Sequence, residues 1–243
     1  MYVYQCIARA LKDHGTAKIF GLMGDANLFM IDSFVRECNG NFIPATHEGS
    51  TILMAAAYAH VSGKTGVATV THGPALTNCV TALTEATRSH TSMVLLAGDT
   101  PVNNPRHLQS IDQRELIKVT GAGFIQLRAP ATLSEDVAQA FYRARVEHRP
   151  IVLNMPADFM WQESKYTTKI LDVFTLPGGV AEGDALDNAI GMIASARRPM
   201  ILAGRGATHA SDALICLADR LEAPLGTTLR AKGLFNNHPY NFD

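Results

Sequence analysis

Three short apolar runs, GVATVT at 66–71, SMVLLAG at 92–98 and PIVLNMP at 150–156, limit the fold of this chain more than any other feature. Each is too short for a buried helix and lacks the apolar-polar alternation of a strand with one wet face. Each therefore reads as a strand covered on both sides, the usual state of a strand in a parallel sheet. Helical spacing fills the gaps between such runs. Val3, Ile7, Ala10 and Leu11 define a first helix stopped by His14-Gly15, and Leu28, Ile31, Phe34 and Val35 define a second. AKIFGLM and NFIPAT add two strands, Glu48 to Val61 and Ala75 to Arg88 two more helices, and FIQLRA a further strand. Thr132-Leu-Ser-Glu135 has the form of a capping box opening a helix to about Val146. Alternation of this kind predicts an α/β fold, a parallel sheet with helices on both faces.

One domain is thus expected over residues 1–158. The mixed, weakly periodic stretch 159–182, ending near LPGG, reads as a linker, and residues 183–243 as the start of a second, incomplete Rossmann-like α/β domain of about two βα units. The stretch from Asp99 to Asp112, PVNNPRHLQS within it, is long for a plain connection, and long loops in compact domains often carry function.

Composition narrows the function. With 47% hydrophobic and 18% charged residues the chain of 243 is globular, and its net charge of -1 without any Lys/Arg cluster argues against a nucleic-acid partner. No apolar run approaches the roughly 18 residues of a membrane span, and the N-terminus lacks the pattern of a secretory signal, so a cytoplasmic protein is expected. The four cysteines, Cys6, Cys38, Cys79 and Cys216, have no CxxC partner and read as buried free thiols. His47-Glu48 begins like a zincin motif, but Thr51 stands where the second histidine is required, and the other histidines lack ligand spacing, so no metal site is expected from this chain. Serine-hydrolase elbows and phosphate-binding P-loops are missing. Gly204 and Gly206 follow a strand and could receive a nicotinamide or flavin pyrophosphate, but His209 fills the third glycine position, and a plain tight turn explains them as well.

Glu48 is the outstanding single residue. It stands in the first turn of a helix, where the macrodipole favours a carboxylate by about 0.3–1 kcal/mol. Ile52, Leu53, Met54 and three alanines follow it directly. An apolar enclosure would raise its pKa towards the range useful for acid-base chemistry, so the residues leave a cap and a catalytic role open.

The ordered segments GLMGDANLFMIDSF, THEGSTILMAAAYAHVSGKTGVATVTHGPALTN and QSID resemble the N-terminal pyrimidine-binding domain of the thiamine-diphosphate (ThDP) enzymes, nearest the acetolactate-synthase-like group. RPMILAGRGA, LEAPLGTT and KGLFNNHP resemble the start of that family's central domain. The resemblance implies that Glu48 hydrogen-bonds the cofactor's aminopyrimidine and favours the imino tautomer that removes the thiazolium C2 proton. It implies cofactor-binding roles for Gly24, Gly73, Pro74, Asn78 and Gln109, a 2-oxo-acid substrate that is decarboxylated or joined to an acceptor, and a homo-oligomer with shared active sites. Leu108, His72 and Ala75 depart from the usual residues, where phenylalanine and an S-G-P-G sequence are common. In the family, Mg²⁺ and the diphosphate are held by a separate C-terminal domain, so this chain alone is expected to bind ThDP weakly or not at all; FAD is a further cofactor of some relatives. A catalytically silent binding or regulatory subunit, or half of a split enzyme, is the competing expectation.

Overall fold

The computed structural model describes residues 1–104, 106–173, 179 and 181–242. The chain forms two compact units, Met1–Thr175 and Leu176–Asp243, the division falling inside the stretch read as a linker.

In the first unit six parallel strands, β1 (Lys18–Gly21), β2 (Asn41–Pro44), β3 (Gly66–Val70), β4 (Met93–Asp99), β5 (Gly123–Gln126) and β6 (Pro150–Pro156), lie in the order β2-β1-β3-β4-β6-β5. Around them run α1 (Val3–Asp13), α2 (Leu28–Arg36), α3 (Glu48–Ser62), α4 (Pro74–Thr77), α5 (Val80–Arg88), α6 (Gln113–Lys118) and α7 (Leu133–Glu147). The strand period of two sorts side chains between the faces. Along β4, Val94 and Leu96 join a core with Leu11, Phe34 and Phe141 of α1, α2 and α7, while Met93, Leu95 and Ala97 join one with Ile52, Leu76 and Leu83 of α3, α4 and α5. Both faces are covered, which is why β3, β4 and β6 read as mainly apolar runs without polar alternation.

Three local expectations need correction. The helix expected from Ala75 to Arg88 is interrupted: α4 and α5 are separated by Asn78 and Cys79. The Asn78 side chain turns to Glu48, and its carbonyl lies against Gly49, where an added Cβ would stand 3.1 Å away. The capping box at Thr132 does not form either. Thr132 Oγ1 donates to Asp136 Oδ2 at 2.7 Å, and Glu135 pairs with Lys169, because the buried Asp136 carboxylate, also bound by Arg128, is a stronger acceptor for the hydroxyl than a helix N–H is a donor to it. Of the cysteines, Cys6, Cys38 and Cys79 are buried as expected, but Cys216 is exposed. Sequence patterning also passed over α6, which Asp112 caps by accepting from the Glu115 N–H at 3.0 Å.

Residues 159–173 strap the first unit. Val3 N–H donates to the Gln162 carbonyl at 3.0 Å, Tyr166 and Thr168 hydroxyls both donate to Asp13 at 2.7 Å, and Arg145 donates to the Leu171 carbonyl at 2.8 Å. The second unit contains α8 (Asp184–Ala194), β7 (Ile201–Ala203), α9 (Ser211–Leu221) and β8 (Leu225–Thr227), with β7 parallel to β8. Its small core holds Ala203, Ala218, Leu225 and Phe235, and α8 buries none of its residues.

Candidate active site

The sheet changes direction between β1 and β3: the chain passes from β1 outward to β2, then returns to lay β3 on the other side of β1. At such a switch point the loops leaving the carboxyl ends of two neighbouring strands diverge and leave a crevice. Here those loops are 22–27 and 71–73. Gly24 lies against Thr71, so closely that a Cβ would stand 2.6 Å from the threonine Cβ. The Gly24 N–H donates to Asn27 Oδ1 at 2.8 Å, and the buried Asn27 amide in turn donates to the Leu22 carbonyl and Thr69 Oγ1, both at 3.1 Å.

Beside this turn stands His72, 1% exposed, with Nε2 3.2 Å from Asp25 Oδ1 and Nδ1 without a hydrogen-bond partner among the described residues. Thr71 Oγ1 donates to the same Asp25 oxygen at 2.9 Å. Burial alone would raise the Asp25 pKa, but the Thr71 hydroxyl and the neighbouring His72 outweigh it and hold the carboxyl below its ordinary value. The His107 ring, from the loop after β4, meets the His72 ring edge-on at 5.3 Å.

Gly73 comes next and caps α4. Its φ of +60° and ψ of −113° belong to glycine, and a Cβ would overlap the carbonyl oxygen of Gln109. Pro74 then occupies the first helical position, where its missing N–H is harmless. The four residues of α4 lead to Asn78, whose Nδ2 donates to Glu48 Oε2 at 2.8 Å. Glu48 itself opens α3 behind His47, whose Nδ1 accepts the Gly49 N–H at 3.0 Å. The Glu48 side chain is half-buried. The apolar residues after it divide between the core, Ile52 and Ala55, and the surface, Leu53, so this chain by itself does not form the apolar enclosure expected around the carboxylate.

Five of the six sequence-selected positions are thereby connected: Glu48 to Asn78 by a hydrogen bond, Asn78 to Gly73 and Pro74 through α4, and Gly73 to Gln109 by backbone contact. Gly24 joins them through the adjacent Thr71-His72 segment. The Gln109 side chain, by contrast, makes no hydrogen bond among the described residues.

A second group at the carboxyl ends of the strands escaped notice in the sequence. The Gly73 N–H donates to Gln113 Oε1 at 2.7 Å, Gln113 Nε2 donates to the Gly98 carbonyl at 2.9 Å and to Asn154 Oδ1, and Asn154 Nδ2 donates to Asp99 Oδ2 at 2.6 Å and Gln126 Oε1 at 2.9 Å. Gln113 and Asn154 are 3% and 1% exposed, so every bond in this chain counts at low dielectric. The one available signal was Asn154 itself, an amide inside the apolar run PIVLNMP. The glycine turn at Gly204 and Gly206 lies in the second unit and forms a 3₁₀ turn, Arg205–Ala207, with α9 starting only at Ser211. Its N–H groups do not run into a helix N-terminus as a dinucleotide turn requires. Among the described residues no group of three or more His, Cys, Asp or Glu is arranged to hold a metal, and no helix is long and apolar enough to cross a membrane.

Residues 1–116 match the family signature described as "Thiamine pyrophosphate enzyme, N-terminal TPP binding domain", and residues 186–243 match "Thiamine pyrophosphate enzyme, central domain". The chain is 32% identical to a sulfoacetaldehyde acetyltransferase of Rhodobacter capsulatus over 98% of its own length and 41% of the relative's. It is also 32% identical to a probable 2-ketoarginine decarboxylase of Pseudomonas aeruginosa (95% of this chain, 42% of the relative). An acetolactate synthase large subunit of Parasynechococcus marenigrum is 31% identical (94% and 39%). The chain thus spans about two-fifths of the length of these relatives. Two signatures of one family in their proper order, over a parallel sheet whose switch point gathers Gly24, Gly73 and the Glu48–Asn78 pair, lead to one assignment: the chain belongs to the thiamine pyrophosphate (thiamine diphosphate) enzyme family.

Proposed function

We propose that this chain is the N-terminal part of a ThDP-dependent enzyme that decarboxylates a 2-oxo acid or transfers the resulting fragment to an acceptor, with Glu48 engaging the cofactor's aminopyrimidine. The observation that carries this reading is the state of the Glu48 carboxylate. Oε2 is fixed by Asn78 at 2.8 Å, while Oε1 has no hydrogen bond among the described residues. An oriented carboxylate oxygen with unused lone pairs suits a ring nitrogen that shares a proton.

Other features of the crevice fit the same group. Gly24 and Gly73 let the Thr71 side chain and the Gln109 main chain close up against the turns that flank the Glu48–Asn78 pair, which fixes the loops beside the space proposed for the ring. When bound, ThDP supplies an electron sink for cleaving the bond beside a carbonyl. The protein's part is positional. Glu48 holds a proton between Oε1 and the pyrimidine, Asn78 keeps the carboxylate turned towards it, and Gly73-Pro74 shape the pocket beside the ring. Gln109, whose main chain packs on Gly73, is assigned a cofactor-binding role in this proposal.

Mg²⁺ and the diphosphate are assigned in this proposal to groups outside residues 1–243. The exposed apolar side chains Leu28 and Leu53 on α2 and α3 support a homo-oligomer in which a second subunit closes the enclosure over Glu48. The decisive test is Glu48→Gln in the longer enzyme, following deuterium exchange at the thiazolium C2 and turnover of 2-oxo acids. Exchange and turnover should both fall by about 10²–10⁴-fold; rates equal to those of the parent enzyme would remove Glu48 from the mechanism.

A further inference from the structure

Helix α4 is a single turn of 4 residues. A helix this short does not hold itself, because starting a turn costs more than its few hydrogen bonds return. Its frame comes from its surroundings. Leu76, fully buried with Ile52 and Leu83, sets how deep the turn sits. At the far end Asn78 delivers its side chain to Glu48, and its carbonyl lies against Gly49. At the near end Gly73 has no side chain with which to cap the turn, and its own N–H goes to Gln113 Oε1 at 2.7 Å. The group that fixes the start of α4 thus belongs to another element, since Gln113 is the first residue of α6.

The Gln113 amide has one way to face. The Asp99 carboxylate accepts, so Asn154 turns Nδ2 to it at 2.6 Å, and Gln126 Oε1 takes the second Nδ2 proton at 2.9 Å. Asn154 Oδ1 is left towards Gln113, which answers with Nε2, and the Gly98 carbonyl takes the other Nε2 proton at 2.9 Å. Only Oε1 remains for Gly73. Both amides are buried, so water does not replace a lost partner. A network serving stability alone could end at the Gly98 carbonyl. This one ends on the residue that starts α4, and the main chain of the same loop presses there too, the Gln109 carbonyl occupying the space a Gly73 Cβ would need.

We propose that Gln113 is a positioning residue for the Glu48 chemistry: by holding the Gly73 N–H it fixes the start of α4, and with it the angle at which Asn78 presents the Glu48 carboxylate. This rests on the cofactor-contacting role given to Glu48 above. Gln113 bonds to neither Glu48 nor Asn78 and acts through the backbone between them. A small displacement of a reacting group is enough to slow a step by one or two orders of magnitude.

The experiment follows deuterium exchange at the thiazolium C2, kcat and KM in the longer enzyme loaded with ThDP, each rate taken per cofactor-bound molecule. Gln113→Met keeps the side chain's length and removes the acceptor. Exchange and kcat should fall together about tenfold, with KM for the 2-oxo acid within about twofold of the parent's. Asp136→Asn weakens the same unit beyond the edge strand β5, where Asp136 binds Arg128 and Thr132, and should leave exchange unchanged. Gln113→Glu adds a pH signature. The protonated carboxyl can both accept from Gly73 and donate to the Gly98 carbonyl or Asn154 Oδ1, whereas the ionised form turns charge on those two acceptors and lies near the Asp99 carboxylate. Its exchange rate relative to the parent should therefore rise as pH falls, groups common to both proteins, Glu48, Asp25 and His72 among them, cancelling in the ratio. Parent-like exchange in Gln113→Met, while Glu48→Gln is impaired, would overturn this proposal alone. An equal loss in Asp136→Asn would overturn it in favour of a folding role. Should Gln113→Met not fold, a Gln113→Glu ratio independent of pH would overturn it as well. Parent rates in Glu48→Gln would remove the cofactor reading and this proposal with it.

Discussion

At the scale of single residues, Gly73 does three things at once. Its positive φ starts α4, its N–H reaches Gln113, and its bare Cα admits the Gln109 main chain. Gly73→Ala therefore combines left-handed strain with a backbone overlap that no rotamer relieves. A loss of about 2–4 kcal/mol is expected, measurable as a lower urea midpoint with an unchanged slope. Glu48 shows how a helix can hold a reactive group at little cost. Its backbone continues an ordinary N-terminus capped by His47, and only the carboxylate departs towards Asn78. The sequence revealed the glutamate and its helix but not that bond, because the partners are 30 positions apart and meet only when α4 stops short. His72 was visible only as a departure from a common motif; its burial against Asp25 depends on how the loops after β1 and β3 fold together.

At the scale of elements, the strands were the most legible part. Parallel pairing buries β3, β6 and all of β4 but Asp99, and burial writes itself into sequence as mainly apolar runs without a polar face. Helix breaks were less legible, since the gap between α4 and α5 is produced by tertiary contacts of Asn78 and not by a local breaker. The capping motif at Thr132 failed for a related reason, a buried carboxylate from the next turn competing for the hydroxyl. The same pattern governs Asn154, which fixes β6 to β4, β5 and α6 through Asp99, Gln126 and Gln113. Replacing it with leucine leaves those three groups short of partners in a dry setting. Asn154→Leu should cost about 2–5 kcal/mol despite adding apolar surface, seen as a lower thermal midpoint of the first unit.

At the scale of the whole molecule, the pH dependence of stability should carry the signature of Glu147. The bond from Arg143 at 2.5 Å, aided by Arg149 and opposed by burial, holds its carboxyl below the ordinary glutamate value. A depressed folded-state pKa stabilises the protein above the unfolded-state value, and that stability is lost as pH falls through the folded-state value. Glu147→Gln should therefore lower the thermal midpoint near neutrality and make its decline with acid shallower than in the parent chain. The distribution of thiols has a different consequence. Cys6, Cys38 and Cys79 are buried in the first unit, the Cys79 thiol being pushed up to about 12 by burial and by Glu48, whereas Cys216 is exposed in the second. An alkylating reagent should consume one equivalent from the native protein, and three more only at the rate at which the first unit opens. Counting modified cysteines by mass against time thus turns an unremarkable set of side chains into a built-in stopwatch for the unfolding of the cofactor-binding half.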